Sequence, residues 1–214
     1  MNRKTFEQWS IGELHHAFGL TRHYKGFALL DTWLSSQHPL SEEDRSRLEE
    51  LKEDLIYNAD LWNEDELKFF FISPLIQVCR LKSEHYKIFT QRSISASLHK
   101  IRLSGVVDFV IAQGIDEPEH PYFFLHEYKQ EKKRRGDPLA QVLAAMLAAQ
   151  ALNQADFPLY GCYVQGRFWF FVVLQGTEYA VSDALTATQD DIFQVVNILR
   201  EGQRRVLMHL GVVK

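Results

Sequence analysis

Cysteine is scarce in this chain, which has two cysteines among 214 residues. Cys79 and Cys162 stand far apart, each in apolar surroundings, and they do not form the closely spaced pair that binds a structural metal ion. We therefore expect two reduced packing residues in a cytoplasmic protein, rather than a cysteine-based metal site.

Long apolar runs are also lacking. No run reaches the length that a helix needs to cross a bilayer, and the first residues, Met-Asn-Arg-Lys-Thr-Phe-Glu-Gln, lack the apolar core of a signal peptide. The sequence has no glycine-rich phosphate loop, which disfavours NTP hydrolysis. With 46% hydrophobic residues the chain can bury one substantial core, so we expect a cytoplasmic protein with no membrane partner.

A strong excess of basic charge is missing as well, because the formal net charge is −4. This value disfavours indiscriminate binding of nucleic acid, but the charges are distributed unevenly. Acidic residues are concentrated between residues 41 and 66, and a basic run is formed by Lys132, Lys133, Arg134 and Arg135. The basic run has two interpretations, a solvated loop or a surface that contacts the phosphates of a nucleic acid.

The chain is predicted to begin with an N-terminal helical cap over residues 1–62, where apolar residues recur at helical spacing. Asn63 has the character of an N-cap, and Glu64 begins the apolar face of the helix that follows. Pro74 is expected to kink or restart that helix, with Ser73 capping the second part. Residues 63–214 are predicted to form an α/β domain that makes one compact unit with the cap.

Further elements are predicted in the second half of the chain. Asp137 and Pro138 indicate the start of an alanine-rich helix, because they suit the N-cap and the first helical position. Strands are predicted at residues 160–164, 168–174 and 178–181, and a terminal helix is predicted at residues 189–209.

Two apolar strands each carry an acidic residue where a buried strand would have none. The first is Ser-Gly-Val-Val-Asp-Phe-Val-Ile, which contains Asp108, and the second ends with Glu-Tyr-Lys at positions 127–129. If the centre of the hairpin directly follows Glu117, Asp108 and Glu127 are opposite each other, about 4.5–5.5 Å apart. Two carboxylates at that distance repel unless a cation lies between them, and oxygen ligands suit Mg²⁺.

An Asp on one strand and Glu-x-Lys on the next, with helices on either side, resembles the active-site pattern of the PD-(D/E)xK nuclease superfamily. The resemblance covers residues 63–174. It implies a restriction-endonuclease-like core of the α/β (α+β mixed) class, in which helices flank a central mixed sheet of about four to six strands.

The resemblance also implies a role for each residue of the pattern. Asp108 and Glu127 would bind Mg²⁺ or Mn²⁺, and the carbonyl oxygen of Tyr128 would complete the protein ligands. Lys129 would position the attacking water or stabilise the charge that develops on phosphorus.

Two residues outside the strands have alternative interpretations. Gln141, in the first turns of the alanine-rich helix, is either an assisting residue of the site or an ordinary exposed residue. Ala145 departs from the pattern, because relatives often have Tyr at this position. Glu64 is either an accessory carboxylate that tunes the site or binds a second ion, or one of three acidic residues that compensate the helix dipole.

The leading hypothesis from the sequence is a metal-dependent nuclease that hydrolyses DNA phosphodiesters with a metal-activated water. The alternative is a catalytically inactive module of the same fold that binds nucleic acid or a protein partner. The expected partner is nucleic acid, with DNA favoured over RNA, and a homodimer remains open.

Overall fold

The computed structural model describes residues 2–129, 137–154 and 157–213, with side chains described for residues 4–124, 137–154 and 157–213. Within these ranges one mixed sheet contains the strands β1 (Asn2–Thr5), β2 (Thr21–His23), β3 (Lys87–Leu98), β4 (Ile101–Gln113), β5 (His120–Lys129), β6 (Leu159–Gln165), β7 (Phe168–Gln175), β8 (Glu178–Val181) and β9 (Leu185–Thr186). The helices are α1 (Ile11–Phe18), α2 (Ala28–Leu34), α3 (Glu42–Asn58), α4 (Glu64–Leu67), α5 (Ser73–Cys79), α6 (Pro138–Asn153) and α7 (Asp191–His209). A 3-10 turn (Phe6–Gln8) follows β1, and a π-helical turn (Lys68–Ile72) joins α4 to α5.

The strand order is β1-β4-β5-β6-β7-β8-β2, with β3 also paired to β4 and β9 to β7. The pairs β1–β4, β5–β6 and β2–β8 are parallel, and the others are antiparallel. The predicted mixed α/β class is confirmed, but the described sheet has nine strands, more than predicted. The difference includes β1, β2 and β9, which are too short to give a periodic signal in the sequence.

The elements predicted for the second half of the chain are confirmed. The three strands correspond to β6, β7 and β8, and the terminal helix corresponds to α7. Asp137 caps α6 by accepting a hydrogen bond from the backbone N–H of Ala140 at 3.1 Å. The ten residues from Ala140 to Ala149 are all buried, which the small alanine side chains permit because they allow the helix to approach the sheet closely.

The N-terminal segment is only partly the helical cap that the sequence predicts. Residues 1–62 contain α1, α2 and α3, but β1 pairs with β4 and β2 pairs with β8. This segment therefore contributes two strands to the sheet as well as helices that pack on it.

The sheet is covered on both faces. One apolar cluster joins Trp33 of α2 and Phe71 of the π-helical turn to Phe123 of β5. The other joins Phe6 of the 3-10 turn and the buried residues of α6 to Phe124 of β5. Because side chains alternate along a strand, neighbouring residues of one strand contribute to opposite clusters. This two-sided burial explains the nearly continuous apolar runs of the central strands.

The two cysteines lie in the first of these clusters. Cys79 and Cys162 are free and buried, and burial raises the pKa of both thiols. The sequence-based expectation of packing residues is confirmed for both. Of the helices that the structure describes, none is long and apolar enough to cross a membrane.

An ion-pair cluster joins α3 to the rest of the protein. Asp44 is buried, and its carboxylate oxygens accept hydrogen bonds from Arg80 and Arg200, each at 2.8 Å. Arg80 follows α5 and Arg200 belongs to α7, so this carboxylate connects three helices. Burial is the largest single influence and would raise the pKa of Asp44, but the hydrogen bonds from Arg200 and Ser41 and the two guanidinium charges together hold the pKa below its ordinary value.

The α-helix restarts at Ser73 with Pro74 in its first turn, as predicted, but Ser73 does not cap it, because the residues before Ser73 are helical as well. Asn63 is the expected N-cap and accepts from the N–H of Glu66 at 3.0 Å. The helix then widens into the π-helical turn, where the N–H of Ser73 donates to the carbonyl of Lys68. Proline has no N–H, and its ring would clash with the carbonyl four residues earlier in a regular α-helix, so the wider turn accommodates Pro74.

Candidate active site

Asp108 lies at an irregularity of β4. Val107 and Phe109 are two residues apart and would share a face in a regular strand, but they belong to opposite apolar clusters. The strand therefore rotates at Asp108. The Asp108 side chain is 15% exposed and borders a cavity of about 410 Å³ between the α4–α5 segment and strands β3 and β4.

Lys68 connects two carboxylates at this cavity. Its Nζ donates to Oδ1 of Asp108 at 3.1 Å and to Oε1 of Glu64 at 2.8 Å. Burial is the largest single influence and would lower the pKa of Lys68, but the hydrogen bonds and charges of Glu64 and Asp108 outweigh it and raise the pKa above its ordinary value. The ammonium group is therefore the charged counter-ion of both carboxylates.

Gln91 of β3 holds the same carboxylate from the other side. Its Nε2 donates to Oδ1 of Asp108 at 2.6 Å. The residues on either side of Gln91 pair with those on either side of Asp108, and Gln91 has a φ of 51°. A non-glycine residue with this left-handed backbone costs about 1–3 kcal/mol and persists where the surroundings enforce it. The local strain thus coincides with the side chain that orients Asp108.

Sequence reasoning missed Lys68 and Gln91 as partners of Asp108. The position of Lys68, four residues after Glu64, is a signal for a helical ion pair, but it does not reveal the third member on β4. The sequence around Gln91 carries no signal, because a glutamine on an exposed strand position is ordinary. Both contacts depend on how the α4–α5 segment and β3 meet β4.

The predicted pairing of Glu127 directly opposite Asp108 is wrong. Phe109 pairs with Leu125, so position 126 comes opposite Asp108 when the strands are counted from that pair. The register also shifts between Ile111 and Ala112, where β5 has one extra residue. Beside the loop Ala112 pairs with Pro121 and Gln113 with His120, so the centre of the hairpin lies between Asp116 and Glu117, one residue earlier than predicted. This displacement moves the expected partner of Asp108 by two positions, and the extra residue of β5 restores one of them.

The backbone of β5 has a second irregularity at the predicted motif. On the side of β6, His126 pairs with Tyr163 and Tyr128 pairs with Val164, so Glu127 is an extra residue in β5. The side chains of Glu127 and Lys129 lie outside the described residues, as does the basic run from Lys132 to Arg135. Their assigned roles, and that of the Tyr128 carbonyl, stay predictions.

Gln141 is buried rather than an ordinary exposed residue, with 3% of its surface accessible. It belongs to α6, which packs on the opposite face of the sheet from α5. Within the described part of the chain, its Nε2 has no hydrogen-bond partner. A buried amide N–H without a partner lowers stability, so packing alone does not explain why residue 141 is a glutamine.

The described side chains supply two carboxylates, Asp108 and Glu64, joined through one cation. The described residues include no group of three or more His, Cys, Asp or Glu side chains arranged to hold a metal ion. Compared with known proteins, the chain matches no protein-family model, and no curated protein is significantly similar to it.

Proposed function

We propose that this protein is a metal-dependent nuclease with a restriction-endonuclease-like core, and that it hydrolyses DNA phosphodiesters at Asp108. The observation that carries the proposal is the placement of the Asp108 and Glu64 carboxylates on a single cation at the border of an open cavity. Carboxylates that only stabilise a fold need no cavity beside them. A cleft with oriented charged groups is the usual form of a catalytic site.

The donor set fits Mg²⁺ or Mn²⁺. Carboxylate oxygens are the ligands that hard divalent cations prefer. The ammonium group of Lys68 is paired with both carboxylates, which indicates that this position favours a positive charge. The resemblance assigns Glu127 and the Tyr128 carbonyl as further ligands, and Glu64 as the accessory carboxylate. When bound, the ion would polarise the phosphodiester and lower the pKa of a coordinated water.

Two residues near Asp108 would assist the reaction: one orients its carboxylate, and the other provides positive charge. Gln91 fixes the rotamer of Asp108 by donating to Oδ1, the same oxygen that accepts from Lys68. Lys68 provides a positive charge at the cavity, where negative charge develops on a phosphodiester under attack. The resemblance gives Lys129 the same electrostatic role, together with positioning of the water.

A cleavage assay tests the proposal. Wild type with Mg²⁺ or Mn²⁺ should cut single-stranded or duplex DNA, and Asp108→Asn and Lys129→Ala should each remove turnover. Asp116→Asn is the matched control, because Asp116 is an exposed acid on the loop after β4 and should leave cleavage unchanged. Cleavage retained by Asp108→Asn, in preparations free of other nucleases, would place the active site elsewhere.

The same assay separates the catalytically inactive module. A wild-type protein that binds DNA but cuts neither form with either metal would favour the binding module. Metal binding distinguishes the two further, because the nuclease needs an ion at Asp108 and the binding module does not.

A further inference from the structure

A second cavity lies beside the candidate site. We call it the aromatic groove; it has a volume of about 660 Å³ and its lining includes Trp62, Phe69, Phe70, Ser73 and Gln77. Phe69 is 72% exposed and Phe70 is 49% exposed, which is unusual for two adjacent phenylalanines. The aromatic groove thus presents ring surface that the fold of the chain leaves uncovered.

The aromatic groove adjoins the Asp108 cavity at Ser73 and Gln77. Ser73 and Gln77 line both, and the π-helical turn that contains Phe69 and Phe70 begins at Lys68, which contacts Asp108. A ligand that is long enough to pass over Ser73 and Gln77 reaches both cavities. One part of it would lie on the rings, and another part would lie at the carboxylates.

The chemistry of the lining indicates a flat ligand without net charge. The rings of Trp62 and Phe70 are nearly parallel, at 27° and 5.7 Å between centroids, and Phe69 stands at 90° to Phe70. The charged side chains that line the groove are Arg47 and Asp54, and the guanidinium group of Arg47 is already paired with Glu50 at 2.7 Å.

The remaining polar groups suit the edge of such a ligand. Ser73 and Gln77 are neutral and both donate and accept hydrogen bonds, so they can contact a ring edge that carries polar atoms. A phosphate would gain little among these groups, whereas an aromatic heterocycle gains both stacking and hydrogen bonds.

We propose that the aromatic groove binds the unpaired bases of a single-stranded nucleic acid whose phosphodiester reaches Asp108. This inference rests on the proposed function and narrows its substrate to single strands or strand ends. A base within a duplex is already stacked on both sides and cannot lie on Phe69 and Phe70, so intact duplex is excluded from the groove. Stacking tolerates any base, because each base has a π-face.

The test is a binding titration by fluorescence anisotropy in chelator, which prevents cleavage. It compares a short single-stranded DNA, an abasic strand of the same length, and the matching duplex. Phe69→Leu and Phe70→Leu keep apolar volume but remove the ring. Tyr24→Leu is the control, because Tyr24 is an 80% exposed ring that does not line the groove.

Wild type should bind the single strand more tightly than the abasic strand or the duplex. Each Phe→Leu change should weaken binding of the single strand by about fivefold or more, because stacking on one ring contributes at least that factor. Binding of the abasic strand should not change, and Tyr24→Leu should behave as wild type. Thermal melts of all variants establish that they are folded.

Equal binding of the single strand and the abasic strand would overturn the inference while leaving the proposed nuclease intact. Unchanged binding by both Phe→Leu variants would do the same. If Phe69→Leu converts a dimer to a monomer in light scattering, a second copy of the chain covers the groove and the inference is wrong. A wild type that neither binds nor cleaves any of the three DNAs would overturn the proposed function as well.

Discussion

Lys68 and Asp108 are 40 residues apart in the chain, and Nζ of the first lies 3.1 Å from Oδ1 of the second. The contact joins the end of a helix to the middle of a strand at the border of a cavity. A cation built into the protein therefore lies where the proposed metal ion would need to bind. Entry of a divalent ion requires the ammonium group to share these carboxylates or to move away from them.

The first prediction concerns this built-in cation. Lys68→Met keeps most of the aliphatic stem but removes the charge, so without metal it should lower the free energy of unfolding by about 2 kcal/mol, the contribution of hydrogen bonds to charged groups. Mn²⁺ should then raise the melting temperature more in Lys68→Met than in wild type, because it supplies the missing charge. Thermal melts with chelator or Mn²⁺ measure both effects.

Lys25→Met, at an exposed lysine away from the cavity, is the control for the loss of one positive charge. An equal Mn²⁺ shift in wild type and Lys68→Met would show that the metal and the ammonium group do not share ligands. No shift in either protein would count against a metal site altogether.

The second prediction concerns Gln141. Gln141→Leu replaces a buried amide, whose N–H has no partner among the described residues, with an apolar side chain of similar size. The free energy of unfolding should rise by about 1 kcal/mol, because the unsatisfied donor is removed. If Gln141 assists the proposed reaction, cleavage should fall although the protein is more stable. Denaturant unfolding and the cleavage assay measure the two effects, and a clear loss of stability would show that the amide has a partner after all.

The third prediction is a pH dependence that arises from Asp44. The pKa of this carboxyl is lowered on folding, so its stabilising contribution is present above the unfolded pKa, near 3.9, and is lost as the pH falls through the folded pKa. Asp44→Asn should cost about 3 kcal/mol at pH 7, because it leaves buried arginine charge without its partner. The difference from wild type should shrink below about pH 4.

Urea unfolding at several pH values measures this difference. Glu53→Gln is the control, because Glu53 is an exposed carboxylate on the same helix. A difference between wild type and Asp44→Asn that stays constant down to acid pH would mean that the carboxyl titrates normally in the folded protein.

The fourth prediction concerns the contact of Phe6 with β4. A Cβ added at Gly105 would lie 2.3 Å from Cδ2 of Phe6, so Gly105→Ala should lower the free energy of unfolding by about 1–3 kcal/mol through overpacking. Gly12→Ala is the control, since a Cβ there meets nothing within 4 Å and should stabilise α1 by about 0.5–1 kcal/mol. In the double variant Gly105→Ala/Phe6→Leu, the smaller leucine side chain should recover part of the stability that Gly105→Ala loses. Thermal melts of wild type, Gly105→Ala, Gly12→Ala and the double variant test this.

Much of the fold follows from local patterns that the sequence displays. The caps at Asn63 and Asp137 are local chemistry, β6 and β7 are apolar runs joined by a short turn, and α7 is strongly periodic, so all were predictable. β1 and β2 were not, because a strand of three or four residues is defined by its partner rather than by its own sequence. The nearest partner of each lies far along the chain.

The candidate site was predictable in its residues more than in its geometry. Asp108 stands out because an acid interrupts an apolar strand. The register of β4 and β5 did not follow from the sequence, because irregular pairing adds residues that the apolar pattern does not show. The roles of Lys68 and Gln91 were hidden for another reason: both contact Asp108 through tertiary packing that no local spacing encodes.

The pairing of β2 with β8 has a consequence for how the protein is made. Thr21 lies beside Glu178 in a parallel pair, so the edge of the sheet that contains β2 cannot form until most of the chain has left the ribosome. A structure in which an early strand pairs with a late strand has contacts between residues far apart in the chain, and such folds form slowly. During synthesis the apolar faces of α1 and α2 stay exposed for many seconds, at the usual rate of about 5–20 residues per second. Apolar surface that is buried in the native protein is thus exposed in the nascent chain, and we expect chaperones to bind it during synthesis.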